Sequence, residues 1–325
     1  MSARRERGAA LLTAMVIVTL VATLAAAMVW QQWRAVQVEA AERARSQSHW
    51  ILAGAVDWAR LILREDAVTG GADHLGEPWA VPLAEAKLST FLAVDRENTD
   101  DAPEAFLSGS IVDAQARYNL RNLIEPQAQQ AAAELRSFQR LLDAIGVRPD
   151  LAPLLAQALR DAAPQAPAAA GSSAGEAATV PRAADPPLMP ERLSQLDWLG
   201  VDATTIAKLA PYVVLLPVRT PINLNTAPKE VLAAVLGIDL ASAERLVQAR
   251  LRAHFASLDD ARGLLPQGAS VNDRDAAIAS NYFEVRGRLR LEDRVVEQRA
   301  LVERRGRQIV TLQRERVAAV EGAGG

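Results

Sequence analysis

The chain has no cysteine, few aromatic residues and no excess of positive charge. Without cysteine neither a disulfide nor a thiolate metal site can form, and either side of a membrane remains open to the protein. Aromatic residues make up 4% of the 325 residues against 50% hydrophobic residues in all. Alanine and leucine therefore supply most of the apolar character and favour helices over strands. A formal net charge of -3 offers no general attraction for a polyanion, so nucleic acid is not suggested as a partner. His49, His74 and His254 are isolated in sequence and show no metal-ligand spacing. Also missing are G-x-S-x-G, a P-loop and G-x-G-x-x-G, which leaves no catalytic constellation. A non-enzymatic protein without a cofactor is the expectation.

What the chain does have is a long apolar run. From Ala9 to Val29 no residue is charged, and at 1.5 Å per residue this helix is about 32 Å long, matching a bilayer core of roughly 30 Å. Arg4, Arg5 and Arg7 precede it, and the positive-inside tendency keeps that end cytoplasmic. Trp30 and Trp33 suit the far interface. Three readings of this segment compete. Ala25-Ala26-Ala27 offers a small-residue site for secretory cleavage, but no turn former separates the apolar run from the helical sequence that follows. A plain uncut anchor is the second. The third accounts for Gly8: a short basic leader ending in glycine, followed at once by a long apolar helix, resembles the type IV prepilin signal, which implies cleavage by prepilin peptidase between Gly8 and Ala9. In most of that family the fifth mature residue is glutamate. Here it is Thr13, which avoids the cost of a carboxylate in lipid, on the order of 2.5 to 3.5 kcal/mol, and suits an end-capping subunit.

Beyond the anchor, Trp33, Ala40, Ala44, Ile51, Ala55, Trp58 and Ile62 recur at helical spacing, the stripe of an amphipathic helix that should end near "TGGADHLGEP". The acidic run Asp95, Glu97, Asp100 and Asp101 reads as a solvated loop rather than a cation site. "AFLSGSIVDAQARYNLRNLI" reads as strand, turn, strand. Residues from Pro126 to Ala163 are helical in pattern, with a stop at Gly146. "PQAPAAAGSSAGEAATVPRAADPP" is a flexible loop. Short helical pieces follow, and "YFEVRGRLRLEDRVVEQRALVERRGRQIVTLQRERV" alternates as three antiparallel strands with one wet face. Strands at both ends and helices between them imply an α+β domain interrupted by a helical one.

"PINLNTAPKEVLAAVLGIDLASAERLVQARLRAHFASLDD" resembles a helix-hairpin-helix or SAM-like unit, with Asn225 or Thr226 expected to cap a helix that has Pro228 in its first turn. In DNA-binding versions the hairpin is Gly-apolar-Gly and its amides hold a phosphate. Here Gly237-Ile238-Asp239 puts a carboxylate at that place. A membrane-anchored, DNA-binding protein of an uptake system is the alternative reading.

Taken together, the leader, Thr13, "IVDAQARYNLRNL", "PINLNTAPKEVLAAV" and "FEVRGRLRLEDRVVEQRALVERR" resemble the K-type minor pseudopilins of type II secretion. The resemblance implies a pilin-like α+β fold: a long transmembrane helix on a small antiparallel sheet, with a large inserted all-helical domain. The expected divisions are a leader at 1–8, the membrane and filament helix at 9–29, the α/β domain at 30–118 and 281–320, and the insert at 119–280 with a loop at about 164–190. The implied partners are the I-type and J-type minor pseudopilins, the major pseudopilin, prepilin peptidase and the inner-membrane secretion platform. The implied place is the bacterial inner membrane, crossed once, with the C-terminal domain periplasmic. Some relatives bind calcium. This chain carries only Asp161, Glu176 and Asp185 in the corresponding stretch, so calcium is implied by resemblance alone.

Overall fold

The computed structural model describes residues 3–88, 104–163, 187–291 and 294–318, and the chain divides into two compact units, residues 1–55 and 56–325. In the first unit the backbone is one helix, part of α1 (Ala3–Thr69). It contains an 18-residue window of mean hydropathy 2.4 and is long and apolar enough to cross a membrane. Its large side chains are open to the surroundings, Leu12 at 65%, Ile17 at 60% and Val29 at 66%, an arrangement suited to lipid rather than water. The hydroxyls of Thr13, Thr19 and Thr23 each donate to the carbonyl three residues back, Ala10, Val16 and Leu20, at 3.1, 2.9 and 2.9 Å. Their polar groups are thus satisfied inside the helix, as an apolar solvent requires.

The second unit begins with the last turns of α1. Val56, Ala59 and Leu63 are buried against Trp79, Ile111, Phe283, Val285, Ala300, Val302 and Ile309. The stripe expected from sequence lies one position away from this face: Trp58 is 50% exposed and Ile62 only flanks the core. The tryptophan is too bulky for the close approach of helix to sheet, which the smaller Val56 and Ala59 allow. The helix ends at Thr69, at the glycine pair expected to stop it.

Among the described residues the sheet has five strands, all in antiparallel pairs, in the order β1-β2-β7-β8-β9. β1 is Leu83–Lys87 and β2 is Ala105–Asp113. Between them and the last three strands come the two-residue pieces β3 (Tyr118–Asn119), β4 (Val213–Val214), β5 (Ile222–Asn223) and β6 (Ala276–Ala277). β7 (Tyr282–Leu291), β8 (Arg294–Arg305) and β9 (Gln308–Ala318) complete the sheet. On β7, Phe283, Val285 and Leu289 are buried while Arg286 and Arg288 are exposed, the two-residue alternation read from sequence. The wet face is laced by ion pairs, Arg286 to Glu284 at 2.6 Å, Arg290 to Glu85 at 2.7 Å and Arg288 to Glu297 at 3.7 Å. The stretch expected as strand, turn, strand differs. Its first half is one nine-residue strand, and its second is mostly 3-10 turn, Ala114–Ala116 and Leu120–Ile124, around the short β3. Gly109 stays inside the strand because a Cβ there would lie 2.7 Å from the carbonyl oxygen of Arg286.

Residues 114–281 leave and re-enter the sheet between neighbouring strands, since Asp113 pairs with Phe283. Most of them build a second core, with Tyr118, Phe138, Leu141, Leu155, Leu196 and Leu232 among its members. Its helices are α2 (Ala128–Ala144), α3 (Leu151–Ala162), α4 (Ala203–Leu209), α5 (Lys229–Leu236), α6 (Leu240–Arg252) and α7 (Leu258–Arg262), with a 3-10 helix at Leu193–Leu199. One hairpin occurs twice. "LGVDATT" and "LGIDLAS" both turn through a left-handed glycine, Gly200 at φ 82° and Gly237 at φ 67°. The next amide, Val201 or Ile238, returns to a carbonyl five residues back, Leu196 or Ala233, at 3.1 Å in each case, closing a Schellman turn. The following aspartate caps the next helix. Asp202 accepts from Thr205 N–H at 2.9 Å and its hydroxyl at 2.6 Å, and Asp239 accepts from Ser242 in the same way at the same distances.

Candidate functional site

Because the insert emerges where β2 ends and β7 begins, its hold on the sheet rests on a few residues there. Asp113, the last residue of β2, is 2% exposed and accepts four hydrogen bonds. Gln115 N–H reaches Oδ1 at 2.7 Å, while the Thr226 hydroxyl at 2.6 Å, the Ser280 hydroxyl at 2.7 Å and Asn223 Nδ2 at 2.9 Å converge on Oδ2. Burial pushes the Asp113 carboxyl up from its ordinary range, and the bonds from Thr226, Ser280 and Gln115 oppose it. Every partner is a donor, the arrangement that best suits an ionised carboxylate lacking a cation.

Around it, side-chain amides do the work of missing backbone partners. Gln115 Nε2 donates to Pro221 O at 3.1 Å and its Oε1 accepts from Asn281 N–H at 2.6 Å. Asn119 accepts from Leu216 N–H at 3.1 Å and donates to Val218 O at 2.7 Å. Asn122 exchanges two bonds with the backbone of Thr220, and Asn225 two with that of Phe255. Asn225 and Thr226 are thus spent on tertiary contacts and do not cap α5. Pro228 is its N-cap residue, without a side-chain cap. An apolar group of Ala114, Val214, Leu216 and Tyr282 packs beside this network.

On its other side the loop after α1 joins the junction. Asp73 N–H donates to Ile278 O at 2.9 Å, Ser280 N–H donates to Asp73 Oδ2 at 2.6 Å, and Asn223 Nδ2 donates to Asp73 O at 3.1 Å. Arg304 of β8 lies over the Phe283 ring and bonds Asp66 at 2.7 Å and Asp73 at 2.8 Å. His74 and His254, distant in sequence, stack with ring centroids 3.9 Å apart and planes 8° from parallel. Burial and the neighbouring His254 lower the His74 pKa from its ordinary value. Asp66, Asp73 and Glu77 bring carboxylate oxygens within 4.8 Å of one another, the single such group of three among the described residues. Within the trio the guanidinium of Arg304 pairs with Asp66 and Asp73, while Glu77 accepts from His74 N–H and Trp79 Nε1.

Within the insert, Arg219 bonds the buried Glu134 at 2.7 Å and Asp275 at 3.2 Å, and the Tyr118 hydroxyl donates to Glu134 at 3.0 Å. Bases that a DNA reading requires are occupied similarly. Arg250 Nη1 donates to Leu224 O at 2.6 Å, Arg245 to the Ser242 hydroxyl at 2.8 Å, and Lys229 pairs with Glu244 at 3.2 Å. Asp239 fills its own helix N-terminus.

The residues singled out in sequence are dispersed. Gly8, Ala9, Thr13 and Val29 all lie along the backbone of α1, remote in sequence from the junction. Asp161 pairs with Gln157 at 2.8 Å, while Glu176 and Asp185, and likewise Asp95, Glu97, Asp100 and Asp101, lie outside the described residues. Around Asp161 no three-carboxylate group occurs among the described residues. The junction itself was not anticipated. Its signal is the density of Asp, Gln and Asn inside the otherwise apolar "IVDAQARYNLRNL" and "PINLNTAP".

A long apolar helix that packs its far end on an antiparallel sheet, with a helical body inserted between adjacent strands, defines a pilin-like protein of the α+β class. Two sequence models of the family described as type II secretion system (T2SS), protein K, match residues 116–218 and 222–286. Type II secretion system protein K of Pseudomonas aeruginosa is 31% identical over 305 residues, covering 90% of this chain and 86% of that protein. The protein of the same name from Pectobacterium carotovorum subsp. carotovorum is 29% identical, covering 96% of each. Among solved structures, a chain of the GspK-GspI-GspJ complex of enterotoxigenic Escherichia coli superposes with a TM-score of 0.59 at 21% identity, covering 86% of this chain and 99% of that one. The chain belongs to the type II secretion system protein K family, the K-type minor pseudopilins.

Proposed function

We propose that this minor pseudopilin is cut by prepilin peptidase between Gly8 and Ala9, spans the inner membrane once with its N-terminus cytoplasmic, and carries its folded body in the periplasm. There it joins the I-type and J-type minor pseudopilins at the pseudopilus tip, where it helps initiate and cap the filament built from the major pseudopilin on the inner-membrane platform. The role is mechanical rather than catalytic. The observation that carries this reading is the insert between β2 and β7, seated on the sheet by an internal polar network. A body of that size fixed to the sheet obstructs a further subunit stacked upon it. Support for the leader comes from the basic residues before Gly8 and the apolar helix after it. Support for the partners comes from the related GspK chain, which was solved with GspI and GspJ.

The test has two readings. Intact mass of membrane-extracted protein should show a chain starting at Ala9. A start at Met28, or an uncut chain in cells with active prepilin peptidase, overturns the processing claim. The full-length protein should also copurify with the I and J pseudopilins as a heteromer, and self-assembly into long filaments would refute a tip role.

A further inference from the structure

The loop at residues 70–77 touches both halves of the second unit. Toward α1 and β8 it meets Asp66 and Arg304, and toward the insert it meets Asn223, His254, Ile278 and Ser280. Its charge is unbalanced. Asp66, Asp73 and Glu77 crowd within 4.8 Å, yet one guanidinium serves them, Arg304 Nη2 at 2.7 Å from Asp66 and 2.8 Å from Asp73. Glu77 receives no cation among the described contacts. Its Oε2 accepts from His74 N–H and Trp79 Nε1, both at 2.8 Å. Asp113, at the end of β2, adds a further buried carboxylate on the insert side. Like charges this close and partly out of water favour a retained proton.

We propose that loop 70–77 is a proton-linked clasp on the helical insert, in which Asp66 and Glu77 share a proton whose loss loosens the loop's hold on Ser280 and Asn223. The groups facing the pair are Asp73 and His74 on the loop itself, Arg304 on β8, His254 after α6, and Asp113 on β2. Burial raises Asp66 from 3.8 to about 6, with Glu77 adding and Arg304 opposing, and burial likewise raises Asp73. The sign follows from linkage. A carboxyl raised in the closed state binds more protons there than in the open one, so closure strengthens as pH falls through about 6 toward 3.8 and weakens as pH rises. His74 is shifted the other way, downward from 6.5, so its protonation opposes closure in acid. The rise of Asp66 to about 6 is the larger effect.

Hydrogen exchange of the full-length chain in detergent micelles, corrected for the intrinsic pH dependence of amide exchange, reads the clasp at the amides of Asp73 and Ser280. Sheet-core amides such as Val285 and Val302 serve as the internal reference. Protection at Asp73 and Ser280 relative to that reference should rise about fourfold from pH 7.5 to 5.5, as linkage gives for a carboxyl at about 6 in the closed loop and 3.8 in the open one. Asp66→Asn should raise protection at pH 7.5 and abolish the rise. Glu77→Gln, which keeps an oxygen for His74 and Trp79, should do the same. Protection that is flat or falls toward pH 5.5 in the wild type overturns the clasp, as does a rise that survives Asp66→Asn. A change in Asp66→Asn alone, with Glu77→Gln behaving as wild type, overturns the sharing of the proton.

Discussion

Replacing Asp113 by alanine tests whether the junction holds the insert to the sheet. Of the four donors that converge on its carboxylate, Asn223 Nδ2 keeps two other acceptors, Asp73 O and the Ser280 hydroxyl, each at 3.1 Å. The Gln115 amide and the hydroxyls of Thr226 and Ser280 have no other acceptor among the described contacts. Each buried donor left unmatched costs about 1–3 kcal/mol, so stranding three costs about 3–9. Removing a buried charge returns part of its desolvation penalty, and the expected net loss is about 3 kcal/mol. Against a total stability of about 5–15 kcal/mol this is a severe change. Asp113→Asn keeps the shape but must turn its amide toward at least one donor, and should cost less, about 1–3 kcal/mol. Urea titration followed by tryptophan fluorescence is a suitable assay, because Trp79 packs edge-on against Phe283, the strand partner of Asp113, at 5.3 Å. The midpoint should fall by about 1 M for the alanine variant, taking a slope near 3 kcal/mol per M. Arg43→Ala, which breaks a pair with Glu39 exposed at 70% and 71%, is the control and should change stability by less than about 0.5 kcal/mol. A loss below about 1 kcal/mol for Asp113→Ala, or a smaller loss for alanine than for asparagine, refutes the account.

Two further outcomes are expected. Gly109→Ala forces a Cβ to within 2.7 Å of Arg286 O, so β2 and β7 must separate, and thermal melting should show a loss of about 2 kcal/mol. Thr13→Val should leave secretion close to wild type, since valine keeps the size of the side chain and the bond to Ala10 O that it gives up lies within the same helix. Thr13→Glu, which restores the carboxylate usual in pilins, should weaken assembly with the I and J partners in membrane crosslinking. Wild-type crosslinking by Thr13→Glu would show that this position carries no information about placement in the filament.

The parts legible in the sequence were those set by local chemistry. The Ala9 to Val29 run announces its helix by length and lack of charge, the last three strands by two-residue alternation, and the end of α1 by Gly70 and Gly71. β1 was missed because "LAEAK" is made of helix formers, and only pairing with β2 makes it a strand, as context overrides propensity at a sheet edge. The α1 stripe was drawn one position off because two tryptophans dominated the pattern. The junction was illegible for a different reason. Asp73, Asp113, Asn223, Ser280 and Arg304 come from five segments, and no spacing rule relates residues that meet only after the chain has folded. His74 and His254 are of the same kind.

The insertion point has a consequence for how the protein reaches its native state. β2 and β7 are adjacent strands that any short turn could join, yet residues 114–281 intervene. Closing so long a loop from a disordered chain costs about 3 kcal/mol more than closing a four-residue turn, on the (3/2)RT ln n scale, and pairings so distant in sequence form slowly. The inserted body has its own core, and once it is formed its two ends, at Asp113 and Ser280, are held 2.7 Å apart through their side chains. The whole body then acts as one large turn. The β2–β7 pairing waits on the helices, and a chain in which the helical part assembles late leaves the facing edges of β2 and β7 open for as long as it takes.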